Sequence, residues 1–200
     1  RIEVSGITVE LPGSAVLPVD RFGMILRECT DEKLLIEADG QGTSIQGERS
    51  RFKLPGENPE EFPAVAPFEE KQYHEVPARL FKELVRRTVF AADTESSRYA
   101  LGGVLLELTE DKVIGVGTDG RRLAKMEGPA HTVGPKEPIT GQTIIPAHSM
   151  QLIDRALSDD DAEIQFAVRS NDILVKSPRA TIYSRLVEGR FPKWRDVIPS

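Results

Sequence analysis

A glycine-rich string is the first feature of this sequence whose spacing could do chemistry. From Gly115 to Gly120 the chain reads Gly-Val-Gly-Thr-Asp-Gly, a literal G-x-G-x-x-G after an alternating, strand-like run. In a dinucleotide site the string leads into a helix whose free N–H groups hold the pyrophosphate. Here Gly128-Pro129 follows before a long helix could form. A β-hairpin with Asp119-Gly120 as a type I′ turn is the favoured interpretation, and a nucleotide-dependent oxidoreductase is the alternative.

Residues that commonly bind metals or act as nucleophiles are scattered. The chain has one cysteine, Cys29, and three histidines: His74, His131 and His148. Ala78 stands where a zincin helix starting at His74-Glu75 would need its second histidine. The acidic run at residues 158–161 lacks the alternating ligands of an EF-hand, and no serine lies in a nucleophile elbow. The sequence therefore predicts no catalytic residues, no metal and no cofactor.

A basic segment between Pro77 and Thr88 is a stronger chemical signal. Its apolar residues recur at helical spacing. Against the single acid Glu83, its polar side carries four cations: Arg79, Lys82, Arg86 and Arg87. The whole chain has a formal charge of −6, so this segment could turn a positive face toward phosphates while other surfaces repel them. An ordinary solvated helix face is the alternative interpretation.

Length and composition limit the class of protein. The 200 residues, 39% of them hydrophobic, allow one domain or two modest ones. A single cysteine fits a reducing compartment, and no apolar run approaches the roughly 20 residues that span a bilayer. We therefore expect a soluble cytoplasmic protein with no membrane partner. The chain opens at Arg1 inside an alternating run and stops at Ser200, which predicts an excised piece of a longer protein.

A sequence repeat predicts which helices and strands carry these candidate residues. An aliphatic-proline pair followed by an amphipathic segment occurs three times, at Leu17-Pro18, Val76-Pro77 and Ile145-Pro146. Each pair reads as the end of a strand running into a helix whose first turn contains the proline. Alternating runs broken by turn residues follow each helix, as in an antiparallel meander. The pattern predicts an α+β fold of repeated helix-plus-antiparallel-sheet units.

Phe-Pro pairs suggest where the domains divide. They occur at Phe62-Pro63 and Phe191-Pro192, at matched distances after the first and last aliphatic-proline pairs, and the middle copy lacks one. We therefore predict that residues 67–200 form one complete domain of two units. Residues 1–66 are then the second half of a preceding domain.

The last segment, residues 189–199, carries the bulky apolar side chains of Phe191 and Trp194 on an irregular backbone rich in proline. Such side chains either cap a core or line a groove for a partner peptide. The sequence leaves both interpretations open.

Three longer strings carry a more specific signal. They are residues 97–107, residues 118–124, and residues 186–192 continued by residues 197–199. In this order and spacing they closely resemble the family of the bacterial DNA polymerase III beta subunit, the replicative sliding clamp. The resemblance covers essentially the whole chain and implies the DNA-clamp fold, with two units per domain and three domains per chain. Aligned in this way, the chain is the C-terminal half of domain one followed by the whole central domain.

The resemblance also implies a function without catalysis. Family members are accessory subunits of a DNA-directed DNA polymerase, a nucleotidyltransferase, and close head to tail into a homodimeric ring. The ring encircles duplex DNA and confers processivity in replication. Its protein partners, which bind through linear peptides, are the polymerase catalytic subunit, the clamp loader and repair proteins. A peptide-binding scaffold that acts without DNA is a further hypothesis.

Site residues follow from the resemblance position by position. Arg98 and Tyr99 match DNA-approaching positions, and Arg79, Lys82 and Arg86 are candidate cations of the inner surface. The central domain's side of a hydrophobic peptide groove is matched by a larger set: Leu101, Thr118, Gly120, Arg121, Arg122, Leu123, Pro192 and Val197. The ring-closing edge of domain one is matched by an alternating strand and one helical residue: Ile25, Arg49, Arg51, Phe52 and Leu54.

Overall fold

The structure is a computed structural model that describes residues 7–63, 67–93, 99–135, 141–157 and 163–198. The described residues divide into two compact units, residues 7–63 and residues 67–198. We call them the first unit and the second unit. None of the helices in the described ranges is long and apolar enough to cross a membrane.

Each aliphatic-proline pair leads into a helix, as the repeat predicts. The helices are α1 (Val19–Glu28), α2 (Ala78–Thr88) and α3 (Ala147–Ala156). The prediction that proline lies in the first turn was wrong by one position, because Pro18, Pro77 and Pro146 occupy the N-cap with extended backbone. Proline suits that place because it fixes φ and its missing N–H loses no helical hydrogen bond. The helices themselves lie where the spacing of apolar residues predicts them.

The first unit contains one helix and one small sheet. Strands β1 (Leu35–Asp39), β2 (Gly42–Gln46) and β3 (Arg51–Pro55) form an antiparallel sheet in that order. The core between helix and sheet is small, with three buried apolar residues: Ile25, Ile45 and Leu54.

The second unit contains two antiparallel sheets. Its strands are β4 (Tyr73–Pro77), β5 (Gly103–Leu108), β6 (Lys112–Thr118), β7 (Leu123–Pro129), β8 (His131–Val133), β9 (Thr143–Pro146), β10 (Glu163–Val168), β11 (Asp172–Lys176) and β12 (Thr181–Arg185). One sheet has the order β12-β11-β10-β4-β8, and the other has the order β7-β6-β5-β9. The fold is thus α+β, with helices followed by antiparallel strands as predicted.

The two halves of the second unit exchange strands. β4 runs directly into α2 but pairs with β10, where Val76 faces Ile164. β9 runs directly into α3 but pairs with β5, where Ile145 faces Val104. Each half therefore completes the sheet of the other, which the sequence pattern did not predict.

Strand β5 shows where the core lies. Val104 and Leu106 belong to the large core, together with helix residues such as Phe81 and Met150. Leu105, on the opposite face of the strand, packs in a second cluster with Phe191 and Trp194. Because successive side chains point to opposite faces of a strand, burial on both faces explains why β5 is apolar without alternation.

Candidate binding surfaces

The glycine-rich string forms a hairpin between β6 and β7. A methyl group at Gly115 would overlap the side chain of Leu84, and one at Gly117 would overlap the carbonyl oxygen of Thr88. These glycines let α2 lie close on the sheet. A strand follows the string, so the helix N-terminus that a pyrophosphate needs is missing at this position. The geometry argues against the oxidoreductase alternative.

The turn of this hairpin differs from the predicted type I′ turn. Thr118 pairs with Leu123, which leaves a four-residue loop, 119–122. Gly120 has a φ of 84°, whereas no non-glycine residue in the described ranges has positive φ, as Asp119 would need in a type I′ turn. The prediction of a hairpin was correct and that of the turn type was wrong.

Side-chain hydrogen bonds fix the loop instead. Asp119 Oδ1 accepts the backbone N–H groups of Arg121 and Arg122, each at 2.9 Å, and Arg122 Nε donates to Oδ2 at 3.0 Å. The backbone N–H of Arg122, followed by that of Arg121, lowers the pKa of the Asp119 carboxyl. The Arg122 guanidinium also lies 5.7 Å from the ring centre of Phe90. Arg121 and Arg122 are therefore exposed cations on an ordered loop.

The predicted peptide-groove residues lie in three segments that come together. Ala100, next to Leu101, and Leu123 both pack against the cluster that holds Phe191 and Trp194. Leu101 and Thr118 are buried and Leu123 is partly buried. The others are exposed: Gly120, Arg121, Arg122, Pro192 and Val197. Buried side chains thus lie beside exposed ones, two of which are cations.

The structure decides between the two interpretations for the aromatic side chains of the C-terminal segment, which cap a core. Phe191 and Trp194 are 2% and 5% exposed and cap the second sheet. Val197, in the short 3₁₀ turn Trp194–Val197, is 69% exposed, and the following Ile198 is 40% exposed. Two apolar side chains therefore project beside the groove residues.

Glu107 is a charged residue of this surface that sequence reasoning missed. Its Oε1 accepts the indole N–H of Trp194 at 3.0 Å and an N–H of Arg195 at 2.9 Å. The hydrogen bond from Arg195 is the main reason why the pKa of the Glu107 carboxyl is lowered. The available signal was an acid inside the apolar run of β5.

The predicted DNA-binding cations lie on α2. Arg79, Lys82 and Arg86 line one side of an open groove of about 1050 Å³, and α3 contributes Gln151 and Asp154 to the same groove. Arg87, the remaining basic residue of this helix face, pairs with Glu83 at 2.5 Å. Arg98 lies outside the described residues, and Tyr99 begins the 3₁₀ turn Tyr99–Leu101.

The predicted ring-closing residues lie in the first unit. β3 is one of the two edge strands of its three-stranded sheet. Arg49 and Arg51 are exposed, Phe52 is partly buried, and Ile25 and Leu54 are buried in the small core. The two arginines are thus the most accessible members of this set.

No metal site is found among the residues that the structure describes. They contain no group of three or more histidine, cysteine or acidic side chains placed to hold an ion. The acidic run at residues 158–161 lies outside the described residues.

Comparisons with known proteins match the same region. The family model for the DNA polymerase III beta subunit, central domain, matches residues 75–193. The beta sliding clamp of Bacillus subtilis strain 168 is 29% identical over 198 residues, which cover 96% of this chain and 50% of that protein. The beta sliding clamp of Chlamydia pneumoniae is 31% identical over 187 residues, covering 93% and 50%.

Solved structures agree with the sequence comparisons. The crystal structure of the Bacillus subtilis sliding clamp matches with a TM-score of 0.83 at 28% identity, over 96% of this chain and 50% of that one. A Pseudomonas aeruginosa sliding clamp bound to griselimycin matches with a TM-score of 0.83 at 27% identity, over 95% and 51%. The chain spans about half the length of the relatives that it matches.

Proposed function

Because this chain belongs to the DNA polymerase III beta subunit family, we propose that it is part of a sliding clamp that encircles duplex DNA and holds the replicative polymerase on its template. The observation that carries the proposal is the match in fold to a clamp over 96% of the chain. The proposed role is non-catalytic and cytoplasmic. The polymerase supplies the chemistry, and the clamp supplies processivity.

We further propose that the second unit is the complete central domain and that the first unit is the C-terminal half of domain one. The second unit supports this division because it holds two helices, each followed by strands of an antiparallel sheet. The first unit holds one helix followed by three strands, which is a single copy of the same pattern. In the proposal, the exposed Arg49 and Arg51 on the β3 side help to close the homodimeric ring.

The proposed DNA contacts are made by α2 together with Arg98 and Tyr99. Arg79, Lys82 and Arg86 line the same groove, so their charges can act on one stretch of phosphates. Such contacts are electrostatic and independent of base sequence, which allows a ring to slide. The net charge of −6 is compatible with this proposal because the face of α2 carries four cations against the single acid Glu83.

The proposed peptide groove is formed by the loop 119–122, Leu101 and the C-terminal segment. Its buried floor and exposed rim support the binding of short apolar segments from the polymerase catalytic subunit, the clamp loader and repair proteins. The rim carries the exposed arginines Arg121 and Arg122, which favour an acidic residue beside the apolar segment.

Primer extension on long templates tests the function. The clamp that carries this chain, loaded by its clamp loader, is expected to lengthen the products of its polymerase several-fold at limiting polymerase. Unchanged product length in the presence of the loaded clamp would overturn the proposal.

Variants of α2 test the DNA face separately. The triple change Arg79→Ala, Lys82→Ala and Arg86→Ala is expected to shorten retention of the loaded clamp on circular DNA. The slope of log affinity against log salt should fall by about 0.9 for each phosphate that the variant no longer neutralises. Arg185→Ala on β12 is the control, because Arg185 is an exposed cation that does not line this groove. Unchanged retention in the triple variant and in Arg98→Ala would favour a scaffold that acts without DNA.

A further inference from the structure

One charged residue of the second sheet connects the core to the exposed edge of the groove. Glu107 lies on β5, and its carboxylate reaches the 3₁₀ turn Trp194–Val197 at the end of the described chain. We propose that Glu107 is a positioning residue of the peptide groove, which anchors this turn so that Val197 and Ile198 stand at the groove's edge. The inference rests on the proposed function of the groove.

The anchor uses both oxygens of the carboxylate. Oε1 accepts the Trp194 indole N–H at 3.0 Å and Arg195 Nη1–H at 2.9 Å, while Oε2 accepts Arg195 Nη2–H. A bidentate pairing of arginine with a carboxylate fixes direction as well as distance. The Trp194 ring is further held by two cations, with Arg195 at 4.1 Å and Lys125 of β7 at 5.6 Å from its centre. Two strands of one sheet thus hold a single short turn.

Apart from this anchor, the turn is held mainly by the buried ring of Trp194, which packs with Leu105 and Phe191. Its N-cap residue Lys193 makes no side-chain cap hydrogen bond, and the segment pairs with no strand of the described sheets. Two local backbone hydrogen bonds shape it, from Trp194 N–H to Pro192 and from Asp196 N–H to Lys193. Val197 and Ile198 are too exposed for packing to hold them. Their position therefore depends on the anchor formed by Trp194, Arg195 and Glu107.

The pair remains charged at neutral pH. The hydrogen bonds from Arg195 and Trp194 lower the pKa of the Glu107 carboxyl, and Glu107 in turn raises the pKa of Arg195. A glutamine at position 107 would keep one acceptor oxygen but lose the charge and the bidentate geometry. An alanine would leave the indole N–H and the guanidinium without this partner. We therefore expect Glu107→Ala to disturb the turn more than Glu107→Gln does.

The local effect can be measured with the natural fluorophore of the chain. Trp194 is the only tryptophan. In Glu107→Ala we expect its emission to shift to longer wavelength and the amides of residues 194–198 to exchange faster, with smaller changes in Glu107→Gln. Glu83→Gln is the matched control, because Glu83 also pairs with arginines but lies on α2. Unchanged emission and exchange in Glu107→Ala would overturn the anchor.

The functional effect is measured by calorimetry on the clamp that carries this chain. The probe is griselimycin, which a Pseudomonas aeruginosa sliding clamp binds and which we assign to the proposed groove as part of this inference. We expect about tenfold weaker binding for Glu107→Ala, a smaller loss for Glu107→Gln and no change for Glu83→Gln. The exchanged pair Glu107→Arg with Arg195→Glu restores the ion pair but leaves the indole N–H of Trp194 without its acceptor, so it should recover only part of the affinity. Should Glu107→Ala fail to fold, Glu107→Gln and the exchanged pair decide the question.

Two further outcomes separate this inference from the function on which it rests. A shifted Trp194 emission with unchanged griselimycin affinity would show that Glu107 holds the turn without serving the groove, and would overturn the inference. If the unsubstituted clamp does not bind griselimycin, the assignment of this ligand to the groove is wrong. The emission and exchange measurements then decide by themselves whether Glu107 anchors the turn.

Discussion

Strands β1 and β10 are each the first strand after a helix in two copies of the same helix-and-sheet repeat. Yet β1 is exposed and β10 is largely buried. In its hairpin Ile36 of β1 faces the buried Ile45, and Phe166 of β10 faces the buried Val175. Ile36 is 48% exposed, whereas Phe166 is 1% exposed. β10 has a second neighbour, β4, and the ring of Phe166 lies 5.1 Å from that of Phe81 on α2. Burial of this strand thus comes from the other half of the second unit.

Truncating the two equivalent side chains should give the largest contrast. We expect Phe166→Ala to lower the free energy of unfolding of the second unit by about 3–5 kcal/mol, because it leaves a cavity in a packed core. In the 200-residue chain, Ile36→Ala should cost less than about 1 kcal/mol in the first unit, since half of its side chain is already in water there. Amide hydrogen exchange in β10 and β1 reports each unit separately. Equal losses would remove the contrast between the two strands.

Substituting glycines also tests the contrast between the tightly packed second unit and the more open first unit. We expect Gly117→Ala to destabilise the second unit by about 1–3 kcal/mol, because a methyl group there would collide with the end of α2. Gly40→Ala in the first unit is the matched control, since no atom lies within 4 Å of the added methyl group. Urea unfolding followed by Trp194 emission measures the first change, and amide exchange measures the second. A neutral Gly117→Ala would contradict close packing of α2 on β6.

The pH dependence of stability should distinguish the units by a smaller amount. All three histidines of the chain lie in the second unit, and His74 is buried, with its Nδ1 lacking a hydrogen-bond partner among the described residues. Burial lowers the pKa of His74 below its ordinary value of 6.5, so the unfolded chain binds the proton more readily. Stability is therefore full above pH 6.5 and declines as pH falls toward the folded-state pKa, by at most about 1.4 kcal/mol per pH unit.

The measurement is urea unfolding of the second unit between pH 7.5 and pH 5.5. His74→Phe should flatten the dependence in this window, because the lowered pKa of Glu107 places that carboxyl's titration below it. Amide exchange in the first unit, corrected for the intrinsic effect of pH, should show little change. A dependence that persists in His74→Phe would assign it to another group.

Local sequence patterns predicted the repeated helix-and-sheet elements. They did not predict which strands pair across long distances in the chain. Helical spacing and alternation depend on near neighbours, so α2, α3 and the meanders could be predicted from the sequence. The exchange of β4 and β9 joins residues far apart in the chain, and no local signal specifies it. The same limit applies to Glu107, an acid in the otherwise apolar β5 whose partner Trp194 lies 87 residues further along the chain.

The prediction of the turn type and the nucleotide-site alternative for the glycine string were wrong for more local reasons. Asp119-Gly120 has the composition of a type I′ turn, but the Asp119 carboxylate accepts two backbone N–H groups and stabilises a longer loop. Gly115 and Gly117 match a nucleotide motif, although their small size serves the packing of α2. In both cases the residue types correctly indicated a turn or a close approach of the backbone. Which turn or which approach forms depends on atoms outside the motif.

Strand exchange also has a consequence for synthesis on the ribosome. The side chains of Glu75 on β4 and Gln165 on β10 are hydrogen-bonded although they lie 90 residues apart in the chain. At about 5–20 residues per second, β4 emerges roughly 5–20 s before its partner exists. During that interval one edge of β4 has no partner, and Val76, fully buried in the finished fold, lacks β10 beside it. The nascent chain therefore passes through a stage at which an open apolar edge invites pairing with other chains.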